Sequence, residues 1–141
     1  MAFTHHLKVL FQHCDPAGIV FYPRYFEMAN EAVEAWFADR LATPFERLHG
    51  TMGLAIPTVA LQVEFVAPSR HGDRLTFRLQ PDRIGRSSLA LGTLAMAEDG
   101  EERMKMRSTL VLTERAGGGA RPWPDELRAR LNTELKEEET R

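Results

Sequence analysis

A chain of 141 residues with 43% hydrophobic and 27% charged side chains has the length and composition of one ordinary folded domain, which excludes a disordered or fibrous protein. Its formal net charge of −2 excludes a large basic surface for nucleic acid, so any phosphate it binds must be held locally. Cys14 is the single cysteine, so no intramolecular disulfide forms. With neither a signal-peptide pattern nor a run approaching ~20 apolar residues, a cytoplasmic protein with no membrane partner is expected.

In chain order, His6 to Gln12 reads as a short strand, apolar at Leu7, Val9, Leu10 and Phe11, that stops at the turn signal Asp15-Pro16-Ala17-Gly18. From Pro23 to about Leu41, apolar residues at Tyr25, Met28, Ala29, Ala32, Val33, Trp36 and Phe37 recur as on one face of a helix. Pro23 suits its first turn, which places Tyr22 at or next to the N-cap. A possible short helix within Pro44–Gly53 follows. Four strand patterns then succeed one another: Val59–Phe65 and Leu75–Leu79 alternate, Ser88–Ala97 is apolar throughout as if buried on both faces, and Arg103–Thr113 alternates again. The glycine-containing connections at 69–73, 83–86 and 98–101 read as antiparallel hairpins. Gly117-Gly118-Gly119 marks a joint, and Leu127, Leu131 and Leu135 stripe a terminal helix. The expected class is α+β, with residues 1–116 as the folded domain and 117–141 as a joint and helical tail packed on the body or on a neighbouring subunit.

Asp15 lies between a strand and a helix N-terminus, where unpaired N–H groups carry about half a positive charge. Attack on a thioester builds negative charge on the acyl oxygen, which such a donor stabilises, while a carboxylate supplies the attack as nucleophile or as general base for water. Spacing alone does not choose between these routes, and the same four residues also make an ordinary turn. Arg83-Ile84-Gly85-Arg86-Ser87-Ser88 combines two guanidinium groups, a glycine and two hydroxyls suited to phosphate. A solvated turn is the alternative there, and Arg70 and His71 are weaker candidates. His13 and Cys14 point to opposite faces of an extended strand and make no nucleophile and base pair. His5, His6 and His13 lack the spacing of a zinc site, so no metal is expected. Glu27, Glu31 and Glu34 form a polar helix face, with Glu31 a fallback carboxylate.

The run from Phe11 to Tyr25, and above all Asp15-Pro16-Ala17-Gly18-Ile19-Val20-Phe21-Tyr22-Pro23, resembles the active-site segment of the hotdog-fold acyl-CoA thioesterases of the 4-hydroxybenzoyl-CoA thioesterase family, in the branch that uses an aspartate. The order of elements agrees from about Leu7 to Glu114. The resemblance implies an antiparallel sheet of about five strands wrapped around one long central helix, and hydrolysis of an acyl-CoA to free acid and coenzyme A with no cofactor. It puts the catalytic carboxylate on Asp15, the carbonyl-polarising N–H on Tyr22, and on Gly18 a glycine demanded by positive φ or by close approach of substrate. It implies that the hairpin with Arg83, Arg86, Ser87 and Ser88 helps bind the nucleotide end of coenzyme A. It also implies a homodimer with joined sheets, often doubled to a homotetramer, whose active sites lie between subunits. Two other readings remain. Hydratases of this fold need a helix histidine, and none lies between Asp15 and Arg40. A non-catalytic acyl-CoA-binding or protein-interaction module would have no use for an intact Asp-Pro-Ala-Gly loop. The acyl group is open, since Phe21, Tyr25, Trp36, Met52 and Phe65 cannot be placed in a pocket by spacing.

Overall fold

The computed structural model describes residues 1–139, with side chains as far as Leu135. The chain runs β1 (Phe3–Lys8), a 3₁₀ turn (Phe11–His13), α1 (Arg24–Asp39), α2 (Phe45–His49), β2 (Leu54–Ala55), β3 (Thr58–Phe65), β4 (Arg74–Ile84), β5 (Ser88–Ala97), β6 (Glu102–Val111), β7 (Thr113–Glu114) and α3 (Asp125–Glu139). Five strands form one antiparallel sheet in the order β1-β4-β5-β6-β3, and β2 pairs with β7 beside it. Period-two alternation turns Leu75, Phe77 and Leu79, Leu89, Leu91 and Ala95, and Met104, Met106 and Leu110 to one face, where all are buried. The seven apolar positions of α1 lie on its buried side, and Trp36 and Phe37 are fully enclosed. Each such aromatic contributes roughly 2–3 kcal/mol by leaving water.

Four features differ from the sequence reading. The first strand ends at Lys8 rather than Gln12 because its pairing with β4 stops at Lys8↔Arg74. The His13 ring then accepts the Leu10 N–H at 2.8 Å and folds the chain into the 3₁₀ turn. The 69–73 connection is not a hairpin: β1 occupies the free edge of β4, so β3 pairs instead with β6 at the opposite edge of the sheet. The chain from Phe65 to Arg74 therefore crosses the end of the sheet. Strand β5 is buried on one face only, since Ala90, Gly92 and Leu94 lie half-exposed on the outer face among Arg78, Gln80, Lys105 and Arg107.

The fourth difference is the number of long helices: the sequence reading has one long central helix, and the C-terminal helix, packed on the body as in one of its two expected placements, is a second. Helix α3 is nearly as long as α1, and its Leu127 and Leu131 are buried, as is Trp123 just before it. The indole N–H of the enclosed Trp36 donates to Glu134 at 2.8 Å, and Glu134 also accepts from Arg40. The inner face of the sheet is thus covered by two long helices at its β1–β4 side. At the other side Leu61 and Phe65 of β3 share the face of Ser108 and Met104 yet remain about half exposed. Among the described residues no helix is long and apolar enough to cross a membrane.

Candidate functional site

The Asp15 segment is a closed loop stapled by its own backbone. Phe21 N–H donates to His13 C=O, Cys14 bridges Val20, Asp15 N–H donates to Ile19 C=O, and Gly18 N–H donates to Asp15 C=O at 2.9 Å. Gly18 makes the reversal with φ +81°, and the space where a side chain would project is open. The positive φ, rather than a crowded neighbour in this chain, is what calls for glycine. The Asp15 side chain is half-buried, and its Oδ1 accepts the N–H groups of Ala17 at 2.9 Å and Ile19 at 3.4 Å. These two bonds orient the carboxylate and leave Oδ2 without a partner among the described residues.

The loop leads into α1 through one turn that takes up most of the helix's terminal donors. Arg24, Tyr25 and Phe26 donate to the carbonyls of Phe21, Tyr22 and Pro23 at 2.8, 3.2 and 3.1 Å. Pro23, the N-cap, has no N–H to offer. Among the described residues the Tyr22 N–H finds no acceptor. One unengaged donor therefore sits at the positive end of a 16-residue helix, seven positions after the carboxylate.

Beside this donor lies an apolar cavity of about 560 Å³ lined by Ile19, Val20, Tyr22, Tyr25, Phe65 and the Val66–Pro68 segment. Phe65 is its aromatic centre, with ring centroids 5.8 Å from both Tyr22 and Tyr25. Of the five side chains that spacing could not place, Tyr25 and Phe65 line this cavity and Phe21 packs edge-on to Tyr22. Trp36 and Met52 pack in or against the core. Asp15 does not line the cavity, although Ile19 and Val20 of its loop do.

The Arg83–Ser88 hairpin stands elsewhere. It closes the far end of β4 and β5, whereas the Asp15 loop docks at the Asp73 end through Val20 N–H to Ser69 C=O and Val9 N–H to Asp73 C=O. The 11 residues of β4 separate the two ends by roughly 30 Å. One chain brings Asp15, Gly18 and Tyr22 together and does not bring Arg83, Arg86, Ser87 or Ser88 to them. Arg83 and Arg86 are exposed, while the hairpin backbone is held from the C-terminal segment: Arg128 donates to Gly85 C=O at 2.6 Å and Trp123 N–H to Arg86 C=O at 3.1 Å. Glu31 pairs with His5 at 2.5 Å and lines a different, polar cleft that it shares with His13. The His71 ring lies tilted by 56° against the exposed Phe11 ring, and among the described residues Arg70 meets the loop through its backbone bridge to Ile19. Among the described residues no three His, Cys, Asp or Glu side chains gather as metal ligands would.

Behind the cavity is a polar network that the sequence reading missed. Arg103 donates through Nη1 to Asp73 Oδ2 at 2.8 Å and to Pro68 C=O and Ser69 Oγ at 3.1 Å, and through Nε to Glu101 at 2.6 Å. The Tyr25 hydroxyl donates to the same Ser69 Oγ at 2.7 Å. Burial pushes the Tyr25 phenol above its ordinary value, against the opposing pull of Ser69 and Arg103. The hydrogen bond from Arg103 holds the Asp73 carboxyl below the usual carboxylate range, and the same bond raises Arg103. Arg103 heads an alternating strand and occupies an outward position in that pattern. Only the crossing of 66–73 over the sheet end brings Pro68, Ser69 and Asp73 to it.

A family model described as the thioesterase-like superfamily matches residues 9–131. The 1,4-dihydroxy-2-naphthoyl-CoA hydrolase of Thermosynechococcus vestitus is 28% identical over 130 residues, 92% of this chain and 88% of that protein. The hydrolase of the same name from Synechocystis sp. is 30% identical over 77 residues, 55% of either chain, so the matched stretch spans little more than half of that relative. The crystal structure of a 1,4-dihydroxy-2-naphthoyl-CoA thioesterase from Synechocystis superposes with a TM-score of 0.85 at 20% identity, over 94% of this chain and 96% of the other. That likeness shows the fold, a hotdog-type antiparallel sheet with helices. The family match runs past Glu114 into α3, further than the resemblance read from the sequence.

Proposed function

Because the chain belongs to the thioesterase-like superfamily, we propose that it hydrolyses acyl-CoA thioesters to the free acid and coenzyme A, using no cofactor, with Asp15 supplying the attack and the Tyr22 N–H receiving the charge. The observation that carries this reading is the single unengaged donor at the head of α1, in the same loop as a carboxylate held by two N–H groups with one oxygen to spare. In the transition state the acyl oxygen gains negative charge and the Tyr22 N–H, with the helix end behind it, stabilises that charge. One such donor is worth about 10²–10³ in rate. Oδ2 of Asp15 either attacks the carbonyl carbon, displacing the thiolate of coenzyme A to leave an acyl-enzyme anhydride that water then hydrolyses to the free acid, or takes a proton from a water that attacks the carbonyl carbon and displaces the thiolate in its place. This is the aspartate-dependent chemistry of the 4-hydroxybenzoyl-CoA thioesterase branch.

The acyl group we assign to the Tyr22–Phe65 cavity, and its class to aryl. A volume of about 560 Å³ walled by Tyr22, Tyr25 and Phe65 suits a flat ring, and the relatives named above act on a naphthoyl thioester. Exposed Leu61 and Phe65 on the edge strand β3 and Val66 just beyond it are read as the surface where a second copy completes the cavity, giving a homodimer or a dimer of dimers. In that assembly Arg83, Arg86, Ser87 and Ser88 of a second copy would reach the nucleotide that the Asp15 loop of the first cannot.

The test is thiol release from a panel of aryl, short-chain and long-chain acyl-CoA esters, with Asp15→Asn alongside. Aryl esters are expected to turn over fastest, and Asp15→Asn to lower kcat by at least about 10²-fold with the assembly intact. Turnover by Asp15→Asn at the wild-type rate would overturn the role of Asp15. A flat panel would favour a binding module instead.

A further inference from the structure

We propose that Arg103 is a positioning residue for the active loop: one guanidinium on β6 fixes the 68–73 turn, and that turn holds the chain on both sides of Tyr22. Ser69 is the joint. Its carbonyl accepts the Val20 N–H at 2.8 Å, two residues before Tyr22, and its hydroxyl accepts the Tyr25 hydroxyl at 2.7 Å, three residues after. The donor that receives the acyl oxygen therefore lies between two anchors on a single residue. Ser69 is only 1% exposed and is itself placed by Arg103, which reaches its hydroxyl and the preceding carbonyl of Pro68.

The same guanidinium stabilises the remainder of the turn. Asp73 Oδ2 accepts from Arg103 and from the Arg70 N–H at 2.9 Å, and Asp73 N–H returns to Arg70 C=O. Arg70 bridges Ile19, whose N–H reaches the Asp15 carboxylate. Hydrogen bonds thus run from β6 through Ser69 to Val20 and Tyr25 on either side of Tyr22, and Arg70 lies paired with Ile19 of the Asp15 loop, while the guanidinium lies outside the acyl cavity. A lysine offers one ammonium for Asp73, Pro68 and Ser69 but not the second donor, Nε, through which Arg103 is itself fixed by Glu101. The Arg103 backbone acts separately: its carbonyl accepts the N–H groups of Val66 and Ala67, so the cavity wall survives a side-chain substitution.

This inference rests on the reading of Asp15 and Tyr22 given above, and it predicts a particular split. Arg103→Gln should lower kcat per folded molecule by about 10²-fold, the cost of misplacing reacting groups by about 1 Å, and leave KM within about threefold. Arg103→Lys should recover part of that loss. Ser69→Ala keeps the ion pairs and serves if Arg103→Gln folds poorly; it should shift the same parameter in the same direction. Amide hydrogen exchange at Val20 and Ile19 should quicken in each variant while the strands stay protected. An unchanged kcat per folded molecule in both Arg103→Gln and Ser69→Ala would overturn the proposal, as would unaltered exchange at Val20. Should the wild-type protein release no thiol from any acyl-CoA, the functional reading fails by itself, and the exchange rates still decide whether Arg103 holds the loop.

Discussion

Replacing Glu134 by alanine measures how far the C-terminal helix belongs to the fold. The Trp36 side chain is fully enclosed, and its indole N–H has one acceptor, Glu134, at 2.8 Å. Truncation strands that N–H in the core at a cost of about 1–3 kcal/mol. Loss of the pair with Arg40, whose side chain is 33% exposed, adds at most about 1 kcal/mol because water screens it. The sum, about 3 kcal/mol, lowers the thermal midpoint of a chain this size by about 10 °C. Glu134→Gln keeps an oxygen for the indole and should cost about 1 kcal/mol or less. Guanidinium unfolding followed by tryptophan fluorescence gives the free energies, and Trp36→Phe, which has no N–H to strand, closes a double-mutant cycle. A Glu134→Ala cost under about 0.5 kcal/mol, or an equal cost in the Trp36→Phe background, would refute the reasoning.

Gly18→Ala should destabilise by about 1–2 kcal/mol, because an L side chain is strained at φ +81° although the space is open, and the loss should show in unfolding midpoints and kcat rather than KM. Acid unfolding should reveal Asp73. Its carboxyl is held below the ordinary 3.8, so its stabilisation is present above that pH and lost as pH falls through the lowered value; Asp73→Asn should remove this limb of the curve. At the alkaline end the raised Tyr25 phenol makes stability fall as pH climbs past 10, and Tyr25→Phe should flatten that decline. Arg83→Ala and Arg86→Ala should each raise KM for acyl-CoA about tenfold, the worth of one charged hydrogen bond, and leave acyl-pantetheine esters unaffected; equal effects on both substrates would remove the hairpin from nucleotide binding. Leu61→Asp on the exposed edge strand should shift sedimentation toward the monomer.

Local periodicity made most of the elements legible. The seven apolar positions of α1 and the bounds of β5 are read correctly because each pattern is answered by one neighbouring layer. What could not be read is pairing at a distance. Nothing in the 69–73 turn says that β1 will occupy the edge of β4 and send β3 across the sheet, yet that exchange brings Ser69 and Asp73 to Arg103. The loop itself was legible because Asp15, Gly18 and Pro23 act locally: a carboxylate receiving the N–H groups two and four residues on, a positive φ, and a missing N–H at the helix entry. The partners of Glu31 and His13 were not, since β1 and the 3₁₀ turn select them from outside the helix.

The uneven covering of the sheet bears directly on the chemistry. Helices α1 and α3 bury the inner face over β1 and β4, whereas Leu61 and Phe65 of β3 on that same face meet water. The cavity shares this open side, since its walls are the loop, the first turn of α1 and the Phe65–Pro68 segment. A thioester carbonyl placed there in a single chain would keep its water, and the Tyr22 N–H would act in a medium where a hydrogen bond contributes little net free energy. On the proposal that a second copy covers β3, the cavity would be dried at the point where the donor needs a low dielectric. Oligomer assembly and rate should therefore fail together: in Leu61→Asp, kcat should fall with the dimer fraction across a dilution series, and a fully active monomer would show that one chain suffices.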